Sequence, residues 1–291
     1  MKFSIFKQIF RRSWILALLG IWVVLALNGC NPSQFKSQAT QVPQMINAAL
    51  GAPSTFNSAL NETAYSVFGF IYDSLINENP LTNEQEPGLA ESWEVSDNGK
   101  RIIITLREGL KWSDGEPMTA DDVVFSYNEI YLNPKIPAPV KDSLKIGESG
   151  AMPKVNKLDE RRVEFTIPEP FAPFLRWVGG ITILPAHALK ESVRTTDSGG
   201  NPKFLTMWRT DTDPKKIVGN GPYVMESYVP SQRVIFKRNP YYWRKDAQRN
   251  PQPYIERIVY QIIESTDNQL ISFRSGQLDD LEVTPEGFSL L

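Results

Sequence analysis

Apolar and polar positions divide the chain into short elements. Val42–Leu50 (VPQMINAAL) predicts a first strand. Ala64–Ile76 carries apolar residues at Val67, Phe68, Ile71, Tyr72 and Leu75, the spacing of a helix with one face on a core. A turn-rich break, NENPLTNEQEPG, follows. Ser92–Val95 and the β-branched run Arg101–Leu106 predict paired strands, joined by the turn signal SDNGK. Val163–Ile167 (VEFTI) alternates as a strand, and FLRWVGG carries a helix-like apolar patch. Tyr223–Tyr228 and Arg233–Lys237 predict a hairpin, and Ile258–Ile263 a further strand. Thr266–Ser275 predicts a helix closed by Gly276 in the residue just past its end, where a left-handed backbone is common.

Chemistry is the next question, and LREGLKWSDGEPMTADDVVFSY (Leu106–Tyr127) raises it most sharply. Asp114, Glu116, Asp121 and Asp122 crowd there as an enzyme's carboxylates would. Asp114 and Glu116 fall in an Asp-Gly turn ahead of a proline. Thr119, with an acid three residues later, reads as a capping box, and acids suit a helix N-terminus. Val123, Val124, Tyr127, Ile130 and Tyr131 supply the apolar face of the helix that follows. The acids are therefore expected to be architecture; the competing reading is a secreted hydrolase. His187, in ILPAHAL, is the single histidine, which excludes a multi-histidine metal site. It is expected to make a local hydrogen bond or to start a helix after Pro185. The GNG at 219–221 has two glycines and opens no helix, so it is no dinucleotide fingerprint but a turn. Tyr241, Tyr242 and Trp243 form either an exposed platform for sugar or peptide, or core at a loop crossing; the second is favoured.

The first residues are a separate matter. Lys2, Lys7, Arg11 and Arg12 precede the apolar run Trp14–Leu27, which ends in LNGC at Cys30. That run suits a signal peptide better than a full membrane span. LNGC resembles a bacterial lipobox, which makes Cys30 the lipidation site and residues 1–29 a lipoprotein signal peptide. An uncleaved N-terminal anchor is the alternative, and both place the body outside the cytoplasm. Removing residues 1–29 takes away four cations and no acid, moving the formal charge from −2 to −6. No basic field for nucleic acid remains. A polar linker, residues 30–41, joins the anchor to the body. One cysteine in 291 residues excludes an internal disulfide and a cysteine-zinc cluster. No cofactor or metal is expected.

Four stretches in order carry a resemblance: Pro87–Tyr127, ILPAHAL, Val218–Trp243, and PYIERIVYQIIESTDNQLISFRSGQLDDLEV ending at Val283. Together they are similar to the oligopeptide/dipeptide-binding class (family 5) of extracytoplasmic solute-binding proteins of ABC transporters. One departure is Asn220, where the family usually carries Thr. The resemblance implies an α/β (mixed α+β) fold: a periplasmic-binding-protein-like type II lobe with an inserted smaller domain, its second lobe missing. It implies residues 42–76 as the first part of the lobe, 77–180 as the inserted domain and 181–291 as the second part, up to the crossover between lobes. It implies ligand contacts at Asn61, Glu62, Thr63, Trp177, Gly179, Glu282, Val283 and Thr284, and no catalytic residue. The expected function is the lipid-anchored, periplasmic binding component of an importer for peptides or similar small solutes. Its expected partners are ABC permease subunits with their ATPases. A degenerate receptor that binds nothing is the alternative within the family.

Overall fold

The computed structural model describes residues 43–49, 51–61, 65–283 and 288. Strand β1 (Gln44–Ala49) comes first, and helix α1 (Tyr65–Ile71) follows. A two-stranded ribbon pairs β2 (Ile76–Glu78) with β3 (Gln85–Pro87). Next come β4 (Ala90–Ser96), β5 (Arg101–Leu106), helix α2 (Ala120–Phe125), β6 (Lys154–Lys157) and β7 (Arg162–Thr166). Helices α3 (Phe174–Gly180) and α4 (Ala186–Arg194) precede β8 (Tyr223–Val229), β9 (Arg233–Arg238) and β10 (Arg257–Ile262); α5 is Thr266–Arg274.

Two four-stranded sheets result. The first, in the order β4-β5-β7-β6, is antiparallel throughout. Its inner strand β5 buries Ile102, Ile103 and Ile104 in succession, so side chains on both faces leave water and β-branched residues suit every position. The β4–β5 turn puts Asp97, Asn98 and Gly99 at φ 52, 51 and 84°, left-handed values that Asp, Asn and Gly tolerate best. The second sheet has the order β1-β10-β9-β8. There β8, β9 and β10 are antiparallel neighbours, while β1 lies parallel to β10. The outer edge of β1 is clasped by Asp279: Ile46 N–H donates to its Oδ2 at 2.7 Å, and the Asp279 amide donates to the Ile46 carbonyl at 2.8 Å.

Helix α1 is shorter than its apolar spacing predicts. It stops at Ile71, and Ile76 already belongs to β2. The reason lies far along the chain. Tyr72 N–H still makes a helical bond to Phe68 O at 2.9 Å, but the next amide, Asp73 N–H, donates to Asn220 Oδ1 at 2.8 Å. The Ile71 carbonyl is taken by Gly221 N–H at 2.7 Å. Backbone approaches this close need glycine: a Cβ on Gly221 would lie 2.6 Å from the Ile71 carbonyl carbon, and one on Gly219 would collide with the Ile71 oxygen. Residues 219–221 are thus a cap for α1, and Asn220 has a defined part in it.

Helix α2 passes into a π-helical segment, Ser126–Tyr131. Ser126 Oγ donates to Asp122 O at 2.7 Å and accepts from Leu184 N–H at 2.8 Å, so a side chain enters the helical ladder at the junction. The wider turn carries two buried tyrosines. Tyr127 OH donates to Val178 O in α3 and Tyr131 OH to Thr182 O just after it, each at 2.6 Å, which pins α3 and the residues that follow it.

Gly221→Ala is expected to cost about 1–3 kcal/mol through overpacking at the α1 terminus. Gly69→Ala, at an exposed α1 position with open space around it, is expected to be neutral or to stabilise by up to about 1 kcal/mol through helix propensity. Urea unfolding of both variants checks this, and equal effects contradict the capping role.

Candidate functional site

The crowded acids separate into distinct structural tasks. Asp122 is 5% exposed. Its Oδ2 accepts from Thr119 N–H and its Oδ1 from Ala186 N–H, both at 2.9 Å, so one carboxylate caps α2 and α4 together. Thr119 Oγ1 completes the box by accepting from Asp121 N–H at 3.3 Å. Burial pushes the Asp122 carboxyl above its ordinary range, and the two backbone donors pull it back down. Asp121 pairs with Lys157 at 2.8 Å on the surface. Asp114 meets His187 Nε2 at 2.8 Å, and its other oxygen accepts from Glu116 N–H at 3.2 Å. A His–Asp pair is two-thirds of a catalytic triad, but no hydroxyl or thiol nucleophile bonds His187 among the described residues. His187 lies in the first turn of the helix that starts after Pro185, as expected, but its hydrogen bond reaches Asp114, 73 residues away, and is not local. Among the described residues no group of three His, Cys, Asp or Glu could hold a metal ion.

The aromatic cluster after Pro240 is neither platform nor plain core. Tyr242 OH and Trp243 Nε1 both donate to Asp73 Oδ2 at 3.0 Å. Burial, and then the adjacent Asp73 charge, push the Tyr242 phenol well above its usual range. The Arg107 guanidinium lies 4.2 Å from the centre of the Trp243 ring. Tyr241 is 42% exposed and leans on Gly115. Asp73 therefore ties the end of α1 to this loop.

A cavity of about 400 Å³ opens beside α1, within the range usual for small-molecule sites. One wall is the segment 58–61, with Ser58 and the buried Asn61. Phe68 of α1 and Tyr131 of the π-helical turn also line the cavity. Pro139, Val140 and Ser143 close one side, and Gly180–Thr182 the other. Tyr131 has two tasks: its ring lines the cavity and its hydroxyl holds the Thr182 carbonyl in place.

Of the ligand contacts that the resemblance implies, Asn61 lines this cavity. Trp177 does not; it is 37% exposed and packs edge-to-face on Phe171 at 5.1 Å. Gly179 is buried, and a Cβ there would lie 2.6 Å from Ile76 Cβ, so close packing accounts for its glycine. Glu282 and Val283 are exposed beyond α5. Glu62, Thr63, Thr284 and Cys30 lie outside the described residues. Ser58, Val140, Ser143 and Thr182 were not legible as a set. They sit in loops and short turns without a shared period, and only the fold brings them together.

Comparison with known proteins now gives the fold and cavity a context. Residues 84–290 match the bacterial extracellular solute-binding proteins, family 5 Middle, over more than half of the chain. The chain belongs to this family, whose members are substrate-binding proteins of ABC transporters and not enzymes. It is 32% identical to the periplasmic oligopeptide-binding protein OppA of Salmonella typhimurium, over 66% of this chain and 34% of that protein. It is 29% identical to the dipeptide-binding protein of Escherichia coli, over 85% of this chain and 45% of the relative. The chain thus spans between a third and a half of the length of these curated relatives. In fold it resembles the periplasmic binding protein MelB of Agrobacterium fabrum, solved with stachyose. That match has TM-score 0.74 at 24% identity and covers 85% of this chain and 38% of the other.

Asp122→Ala is expected to lower stability by about 2–6 kcal/mol, because two partly buried N–H groups lose their acceptor at about 1–3 kcal/mol each. Solute affinity, measured at a temperature where the variant is folded, is expected to stay at the parental value. Unchanged urea stability with lost binding would mark Asp122 as part of a site instead of a cap.

Proposed function

We propose that this chain serves outside the cytoplasm as the solute-binding component of an ABC importer, delivering peptides or similar small solutes to permease subunits and their ATPases. The cavity between Asn61, Tyr131 and Thr182, in a chain of this family, carries the proposal. The same reading places further ligand contacts at Trp177, Gly179, Glu282 and Val283. It takes residues 42–76 and 181–291 as one lobe and 77–180 as its inserted domain, with a second lobe completing the cleft. It makes Cys30 the acylated first residue of the mature protein, so that lipid keeps the receptor near its membrane partner.

Physical reasoning supports binding without bond breaking. The cavity offers hydroxyls, an amide and aliphatic surface, while Asp122 and Asp121 are engaged in capping and an ion pair. A one-lobe surface leaves part of a ligand in water, whereas ligand pockets commonly bury roughly 70–90% of it. Affinity of residues 30–291 for peptides is therefore expected to be weak, with millimolar dissociation constants.

Two measurements check the proposal. A nuclear magnetic resonance titration of residues 30–291 with di- to pentapeptides is expected to give saturable shifts at millimolar peptide, which Val140→Trp abolishes by filling the cavity. No saturation at any accessible concentration favours the degenerate-receptor alternative. For the anchor, Cys30→Ala in the full chain is expected to move the protein out of the detergent phase on fractionation. Unaltered partitioning points to an uncleaved helix as the anchor.

A further inference from the structure

The cavity wall that holds Ser58, Ala59 and Asn61 is built on one 3-10 turn, Ser58–Leu60. A turn that short has little stability of its own. It is held by a segment far along the chain. Phe56 N–H donates to the Trp208 carbonyl at 2.7 Å, and Thr55 Oγ1 donates to the same oxygen at 3.2 Å. The Thr55 hydroxyl also accepts from Asn57 N–H at 3.1 Å. Asn57 is fully buried. Its Oδ1 caps the turn by accepting from Ala59 N–H at 3.2 Å, and its Nδ2 donates to the Phe204 carbonyl, also at 3.2 Å. Two side chains and one backbone amide thus tie the wall to residues 204–208.

The backbone at Trp208 is special in the same place. Trp208 is 4% exposed and has φ 54°, in the left-handed region. For a bulky side chain that conformation is strained, and it persists only where the surroundings over-determine it. The strained residue is the one whose carbonyl receives both Phe56 and Thr55. Phe56 is anchored in turn: it is fully buried and packs edge-on against Tyr228 of β8 at 5.1 Å.

Building on the solute-binding reading of the cavity, we propose that Thr55 and Asn57 are positioning residues for solute recognition. They act through the 58–61 wall, which they hold in the placement that meets solute, with Trp208 as the fixed point. The physical basis is preorganisation. A wall already in place spends no binding free energy on being ordered, so affinity falls when the ties go even though no contact with solute is removed.

The test separates the hydroxyl from the shape of residue 55. Thr55→Val removes the hydroxyl at nearly constant shape, and Thr55→Ser keeps it. Both are made in the full chain, in detergent micelles. Thr55→Val is expected to speed amide hydrogen exchange at Asn57, Ala59 and Leu60 and to leave exchange in β8, β9 and β10 at the parental rate. It is expected to weaken binding of di- to pentapeptides about three- to tenfold. Thr55→Ser is expected to match the parent in both measurements. Asn57→Ser keeps an oxygen for Ala59 but loses the tie to Phe204; it is expected to behave as Thr55→Val, and it decides the matter if Thr55→Val does not fold. Faster exchange at the wall with parental affinity makes the ties structural only and overturns the proposal. So does weakened binding that Thr55→Ser fails to restore, or a Thr55→Val variant indistinguishable from the parent. A parent chain that binds no peptide overturns the solute-binding reading and this proposal together.

Discussion

Much of this fold turns on how α1 ends. Where the helix stops, its last carbonyl is taken by Gly221, the next free amide by Asn220, and the following carboxylate, Asp73, by Tyr242 and Trp243. Three segments remote in sequence thus meet at one helix terminus. The terminal groups of a helix are obligatory hydrogen-bonding partners wherever water is excluded, so this junction accepts few alternatives. It directs the chain into β2, sets α1 against the sheet that contains β8, and fixes Phe68 as part of the cavity lining. Asn220 has a defined part in it: its side-chain oxygen accepts from the Asp73 amide.

Legibility in the sequence divided along the same line. Strands β4, β5, β7, β8, β9 and β10 followed from local alternation and turn residues, because their hydrogen-bond partners are mostly neighbours in sequence. The Thr119–Asp122 box was readable for the same reason: all its atoms lie within one turn. The end of α1 was not, because the group that stops it is 147 residues away. The ribbon β2–β3 lies in the turn-rich break because its strands have three residues each and little apolar content. The tyrosine-tryptophan cluster was read as core, and the carboxylate that makes it a polar hub stands in another part of the chain. The cavity was legible only at Asn61, and there through family resemblance. Lone hydroxyls at 58, 143 and 182 carry no periodic signal.

The site also shows how residues that look catalytic can have structural tasks. A buried carboxylate with a raised pKa and a His–Asp pair would both attract attention in a cleft. Here Asp122 is saturated by backbone donors from two helices, and the His187–Asp114 pair joins a turn to the start of α4. At the cavity near Asn61, by contrast, Ser58 Oγ is buried without a hydrogen-bond partner among the described residues.

The parallel pairing of β1 with β10 has a consequence for how this chain reaches its native state. Gln44 lies opposite Arg257, so almost the whole described chain must be made before β1 gains a strand partner. Closing so long a loop costs entropy that only the finished sheet repays, and such non-local pairings form late. The β4-β5-β7-β6 sheet has nearer partners and can assemble first. Until β10 arrives, β1 is an unpaired strand with both edges open, a template for other chains. That interval is when a chaperone or a neighbouring copy has its best opportunity to bind.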